Sequence, residues 1–247
     1  MSGGVDGGGM AELAALLADG TRAGICLALL DGRAWTAGEL ARRAGVAPST
    51  ASEHLNRLVR GGLLVEERQG RHRYLRLAGP SVAQLIEDLA GHAPAPPAPT
   101  TSLRAAGASA ALAYARTCYD HLAGRLGVLL YDALLADGRL DRSSGLALTP
   151  DGWAWAAGLG VPVDVLRAAR RPVVRDCLDW TERRPHLAGA LGAALRRRFA
   201  ELGWITQGAG RAVRLTPIGR AALAGSLGVP EHILIRDTPA APSSGRA

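Results

Sequence analysis

Apolar residues return every three to four positions over 11–18, 20–30, 37–43, 48–60 and 80–90, the spacing of helices that bury one face. Between them, 63–77 alternates apolar and polar residues on either side of Gly70, the period of a two-stranded hairpin. End signals fit these bounds. Asp31-Gly32 closes one helix, Thr36 is placed to cap the next, and Glu39 three residues later completes a capping box. Gly45 can take the left-handed conformation that ends this helix, and Pro48 suits the first turn of its successor. The run HAPAPPAPT, 92–100, holds four prolines in nine residues and excludes helix. The expected organisation is a disordered start over 1–10, a first domain over 11–91, a Pro-rich linker over 92–101, a second domain over 102–236 and a disordered tail over 237–247.

Two short helices joined by Gly45-Val46-Ala47 and followed by a hairpin form a winged helix-turn-helix pattern. Leu55, Leu58 and Val59 fall on the inward face of the second helix. Ser49, Thr50, Ser52, Glu53, Asn56 and Arg57 are left to the outside, with His54 near the edge. Small hydroxyls permit close approach to phosphates, and Arg57 has the geometry to pair with a guanine edge or a phosphate. The hairpin tip concentrates Arg68, Arg71, His72 and Arg73 for backbone or minor-groove contact. Double-stranded DNA is therefore the expected partner.

In the second half, short strings recur at nearly constant spacing. His121-Leu122-Ala123-Gly124 returns as His186-Leu187-Ala188-Gly189, Leu148-Thr149-Pro150-Asp151-Gly152 as Leu215-Thr216-Pro217-Ile218-Gly219, and Leu159-Gly160-Val161-Pro162 as Leu227-Gly228-Val229-Pro230, at offsets of 65, 67 and 68 residues. Each copy reads as a helix of about twenty residues, a hairpin and a second helix after Pro-x-Gly. The fold class expected is mainly α with small β-hairpins: an N-terminal winged helix-turn-helix and a C-terminal domain of two duplicated αββα units.

Charge sharpens the first half of this picture. The net +7 includes eight Arg against three Glu between residues 42 and 76, coincident with the helix-turn-helix and hairpin. A second cluster, nine Arg against three acids over 167–198, lies in the other domain, where Arg196-Arg197-Arg198 can touch flanking DNA or simply face solvent. No run is apolar for the eighteen or so residues that cross a bilayer, and the glycine-rich start lacks the pattern of a signal peptide, so a cytoplasmic protein without a membrane partner is expected. Three cysteines, Cys26, Cys118 and Cys177, lie far apart and form no CxxC pair. A phosphate loop, a nucleophile elbow and catalytically paired carboxylates are all missing from the sequence. The chain thus reads as non-enzymatic and without a cofactor.

The ordered strings Leu17-Ala18-Asp19-Gly20-Thr21-Arg22, Glu39-Leu40-Ala41, Ser49-Thr50-Ala51-Ser52-Glu53-His54-Leu55 and Gly62-Leu63-Leu64-Val65 through Gly70-Arg71 to Tyr74 resemble the ArsR family of winged-helix regulators over residues 12–90. The resemblance implies a homodimer formed through helices 11–18 and 80–90, a pseudo-palindromic operator, and a repressor released by an effector. It departs from the metal-sensing members, because the supporting helix carries no Cys-x-Cys pair and 80–90 lacks the Asp-x-His and His-x-x-Glu ligands. A small organic effector bound among Tyr119, His121, Trp153, Trp180, His186 and Trp204 is the first expectation, since eight of ten aromatic residues follow the linker. The alternative is a metal or thiol sensor using Cys118, Asp120 and His121, with Cys118 and His121 on one helix face, together with Cys177 and His186. Aligning His121 with His186 sets Arg183 opposite Cys118, so the sequence does not encode a repeated metal site.

Overall fold

A computed structural model of the chain describes residues 7–70, 72–93 and 103–236. Arg71, the Pro-rich segment over 94–102, residues 1–6 and the tail over 237–247 lie outside the described residues. Two compact units are present, Met1–Glu87 and Asp88–Ala247, so the division falls inside the helix expected over 80–90 rather than at the prolines.

In the first unit, α1 (Gly7–Leu17) and α2 (Gly20–Ala28) lead into a turn of 3-10 helix (Leu29–Asp31), and then β1 (Trp35–Thr36), α3 (Ala37–Ala44), α4 (Pro48–Arg60), β2 (Leu64–Gln69), β3 (His72–Leu77) and α5 (Pro80–His92), which continues past the unit's last residue. Helix α1 starts within the stretch expected to be disordered. Asp19 caps α2 by accepting from Arg22 N at 2.9 Å. The Arg22 side chain turns back to donate to Leu16 O and Ala15 O at 2.6 and 2.9 Å, satisfying carbonyls at the end of α1. The capping box at Thr36 and Glu39 is formed, and Gly45 closes α3 with φ 67°. Strand β3 lies between β2 and the short β1, with Trp35 opposite Leu75 and Leu64 opposite Leu77. Ile25, Leu40, Leu55, Leu58, Leu63, Leu75 and Leu77 fill the core beneath.

The second unit runs α6 (Leu103–Tyr114), β4 (Arg116–Cys118), β5 (His121–Ala123), α7 (Arg125–Ala136), β6 (Leu140–Asp141), β7 (Ala147–Leu148), α8 (Pro150–Gly158), α9 (Val163–Arg167), β8 (Arg175–Leu178), β9 (Pro185–Ala188), α10 (Gly189–Glu201), β10 (Ile205–Gln207), β11 (Val213–Leu215), α11 (Pro217–Leu227) and α12 (Glu231–Arg236). After α6 the order hairpin, helix, hairpin, helix, helix thus occurs twice. The expected αββα unit is not what forms: its long first helix is replaced by a hairpin and a helix of 12 or 13 residues. His-Leu-Ala is a strand in both halves. The glycine that follows breaks it, because Gly124 at φ 77° and ψ −173° adopts backbone that side-chain-bearing residues avoid, and Gly189 has φ 87°.

The halves interlock. Helix α7 packs on β9 and α10 packs on β5, each helix resting on the other half's strand. The first turn of each helix carries a glycine, Gly127 in α7 and Gly192 in α10, where no side chain would fit. A Cβ at Gly127 would lie 2.6 Å from Leu122 O and 3.5 Å from His186 Cβ, and one at Gly192 would lie 2.5 Å from Leu187 O and 3.2 Å from His121 Cβ. Leu126, Leu130, Tyr131, Leu187, Leu191, Leu195 and Phe199, from both halves, belong to one shared apolar core.

Candidate functional site

Helix α4 is sorted as a reading helix requires. Ala51, Leu55 and Leu58 are buried, while Ser49, Thr50, Glu53, Asn56 and Arg57 are exposed and Ser52 is half-buried. Arg57 Nη2 lies 2.6 Å from Glu53 Oε1, a solvent-exposed pair one turn apart that holds the guanidinium along the helix. His54 does not share this face. Its ring is largely buried, with Nδ1 3.7 Å from Asp19 Oδ1, because α4 packs against the start of α2. On the hairpin, Arg68 and His72 are exposed, and His72 meets the Tyr74 ring edge-on at 6.2 Å. Arg73 is less available, since its Nε donates to Glu66 Oε2 at 2.7 Å across the strands. The expectation for Arg71 falls outside the described residues.

The second unit holds a buried cluster. Cys118 faces His121 across β4 and β5, and Cys177 faces His186 across β8 and β9. The expectation of Cys118 and His121 on one helix face is thereby corrected, since both belong to strands. The alignment that set Arg183 opposite Cys118 fails as well, because the second hairpin's longer loop moves the matching cysteine six residues further from its histidine than in the first. All four residues are buried, and their ligand atoms lie within 4.8 Å of one another. Cys118 and Cys177 Sγ are 4.0 Å apart, both reduced, and His121 and His186 Nε2 are 3.1 Å apart.

A carboxylate attends each histidine. Asp120 Oδ1 is 3.2 Å from His121 Nδ1, and Asp120 is itself held by Arg171 Nη1 at 2.6 Å. Asp179 Oδ2 stands 3.8 Å from His186 Nδ1 and accepts from Arg116 Nη2 at 2.8 Å and Gly124 N at 2.6 Å. Burial works against the Asp179 charge, but Arg116, Thr181 and these main-chain donors outweigh it and hold the carboxyl down to about 2. Burial also lowers the His186 pKa, which keeps its imidazole neutral, while hydrogen bonds from Cys118 and the two histidines favour the Cys177 thiolate. Cys26, in the other unit, behaves oppositely: burial pushes its thiol up to about 12.

His121, Trp153, Trp180, His186 and Trp204, expected to wall an organic-effector cleft, each have ring or cation partners. His121 and His186 meet, and Tyr119 sits in the first hairpin's turn with φ 55°. Trp180 lies beneath the Arg116 guanidinium, Trp153 beneath that of Arg167, and Trp204 packs on Phe199. The arginine run is not wholly a solvated face, since Arg196 Nε donates to Asp120 O at 2.9 Å and Arg198 Nε to Leu159 O at 2.6 Å. The bracing roles of Arg116 and Arg171 had no visible marker in the sequence. The shared Cys-x-Asp strings, Cys118-Tyr119-Asp120 and Cys177-Leu178-Asp179, would have revealed the pairing of the two hairpins.

A helix-turn-helix domain family matches residues 17–67, spanning α2 to β2. The HTH-type transcriptional regulator YdfF of Bacillus subtilis is 43% identical over 222 residues, 89% of this chain and 97% of that protein, a length that must run through both units. This chain belongs to the HTH-type, helix-turn-helix transcriptional regulators. The regulator is also similar to a solved homodimeric winged helix-turn-helix domain of a possible ArsR-family protein from Mycobacterium bovis, 33% identical over 35% of this chain and 83% of that one, with a TM-score of 0.31. The cadmium sensor CMTR of Mycobacterium tuberculosis is 35% identical, over 38% of this regulator and 99% of its own length, with a TM-score of 0.30. No single helix among the described residues is long and apolar enough to cross a membrane.

Proposed function

We propose that this regulator works as a homodimer that reads a pseudo-palindromic duplex with α4 and grips the adjacent backbone with the β2–β3 hairpin, acting as a repressor whose C-terminal unit receives the effector. The observation that carries the DNA reading is the exposure of Ser49, Thr50, Glu53, Asn56 and Arg57 on one side of α4, opposite buried Leu55 and Leu58. Self-association is supported by α1, which carries Met10, Leu13, Leu16 and Leu17 yet buries no residue within one chain, leaving Met10 68% exposed. A second copy presenting the same helix would cover that surface.

The test uses a duplex selected from a random library by the purified full-length chain, with binding followed by fluorescence anisotropy across a salt series. Arg57→Ala is expected to lose about 1–3 kcal/mol on the selected duplex and little on random DNA. Arg68, which is 79% exposed at the hairpin tip, should act differently. Arg68→Ala should weaken all duplexes alike and shallow the salt slope by about 1. A chain that ignores every duplex at low ionic strength overturns the reading.

A further inference from the structure

We propose that Cys118, His121, Cys177 and His186 form a four-coordinate site for a divalent metal ion with tetrahedral preference, of the Zn(II) class, at the junction of the two halves of the C-terminal unit. Regular tetrahedra built on zinc–sulfur bonds of about 2.3 Å and zinc–nitrogen bonds of about 2.05 Å have edges of about 3.8 Å between sulfurs and about 3.3 Å between nitrogens. The corresponding separations here are 4.0 Å for the Sγ atoms and 3.1 Å for the Nε2 atoms, and no pair of the four ligand atoms exceeds 4.8 Å. The donors are therefore already at the spacing of a coordination shell, and they come from two hairpins that the chain connects only through some fifty residues.

The surroundings match what metal-bound histidines require. In both halves a carboxylate lies beside the ring nitrogen facing away from the cluster, Asp120 for His121 and Asp179 for His186. Such partners fix the tautomer that leaves Nε2 with its lone pair inward. His186 Nδ1 is buried and forms no hydrogen bond, and the rotation or tautomer change that brings it onto Asp179 is the adjustment expected when its Nε2 takes a ligand. Each carboxylate is neutralised by an arginine, Arg171 or Arg116, so the negative charge left to the cluster is that of the two thiolates.

This sets the charge of the ion. Binding releases the thiol protons to solvent, and two thiolates with two neutral imidazoles offset a 2+ charge, leaving no net charge in a buried site. A monovalent ion would leave the centre negative. Borderline S2N2 donors in a tetrahedral array select Zn(II) or Cd(II) over the oxygen-seeking Mg(II) and Ca(II). Four protein ligands leave no open position, so the ion is held rather than used for catalysis.

The site stands independently of DNA reading, and the two are measured separately. The reduced, chelator-treated full-length chain is titrated with Co(II) and then Zn(II), with stoichiometry from elemental analysis. Expected are one Co(II) per chain, strong visible d–d bands of tetrahedral cobalt with thiolate charge transfer in the near ultraviolet, and their loss on adding one equivalent of Zn(II). Cys118→Ser and Cys177→Ser should each weaken Zn(II) binding by more than about 100-fold, and Asp120→Asn by about 10–100-fold. Cys26→Ser should leave it unchanged. Should a cysteine variant fail to fold, the unaltered chain still decides the matter, because Zn(II) should protect Cys118 and Cys177, but not Cys26, from alkylation after brief exposure to mild denaturant. Octahedral cobalt spectra, substoichiometric Zn(II), equal protection of Cys26, or a Cys118–Cys177 disulfide that persists in reductant would each overturn the proposal.

Discussion

At the residue scale, Arg22 shows how much a short string can encode. It ends the motif Leu17-Ala18-Asp19-Gly20-Thr21-Arg22, its main-chain N–H bonds Asp19, and its guanidinium returns to two carbonyls of α1. A buried charged group making main-chain hydrogen bonds is worth roughly 1.5–3 kcal/mol. Arg22→Met keeps the apolar stem and should lower stability by that amount in urea denaturation followed by circular dichroism; a loss below about 0.5 kcal/mol would count against the bracing role. The motif itself was visible in the sequence, but the backward reach of its arginine was not, since a six-residue contact across a helix break has no periodic signature. His54 illustrates the same gap: helical spacing put it near the exposed edge, and only the position of α2 turns it inward.

At the scale of elements, the caps were legible and the short strands were not. Thr36 and Glu39 form the capping box that spacing predicted, with Glu39 Oε2 accepting from Thr36 N at 2.7 Å. Hydrogen bonds from the Thr36 backbone and hydroxyl hold the Glu39 carboxyl below its usual pKa. A depressed folded pKa gives stability that is present above the unfolded value near about 4.3 and is lost as pH falls through the folded one. Glu39→Gln should therefore cost stability at pH 7, by a few tenths of a kcal/mol to about 1 kcal/mol, and the gap from the unaltered chain should close as pH falls below the usual carboxylate range. Thermal melts of both chains across that range measure it. Strands of three residues, by contrast, complete barely one alternation, so β4 and β5 were absorbed into an expected helix. What marks them is glycine: a Cβ at Gly124 would meet Ala113 O at 2.7 Å, and one at Gly189 would meet Val173 O at 2.7 Å.

At the scale of the whole molecule, the recurring strings gave the period of the second unit but not its packing. With α7 on β9 and α10 on β5, each half supplies what the other must bury. Polar links cross the same boundary: Tyr131 donates to Asp176, and Arg184 Nη2 reaches Asp132 at 2.8 and 2.9 Å. Residues 103–170 expressed alone should consequently lack a cooperative melting transition, whereas 103–236 should melt in one step; calorimetry on the two fragments distinguishes these outcomes. The winged helix was readable because its turns, caps and charges are local. The Cys118–Cys177 approach was hidden because it joins residues 59 apart through tertiary packing alone.

The glycine in the first turn of each crossing helix carries a further implication. A methyl group at Gly127 or Gly192 would collide with the carbonyl of Leu122 or Leu187, 2.6 and 2.5 Å away in its own half, while touching His186 Cβ at 3.5 Å or His121 Cβ at 3.2 Å across the seam. The junction consequently has no slack for a side chain at either position, and each histidine rests against the bare backbone of the opposite helix.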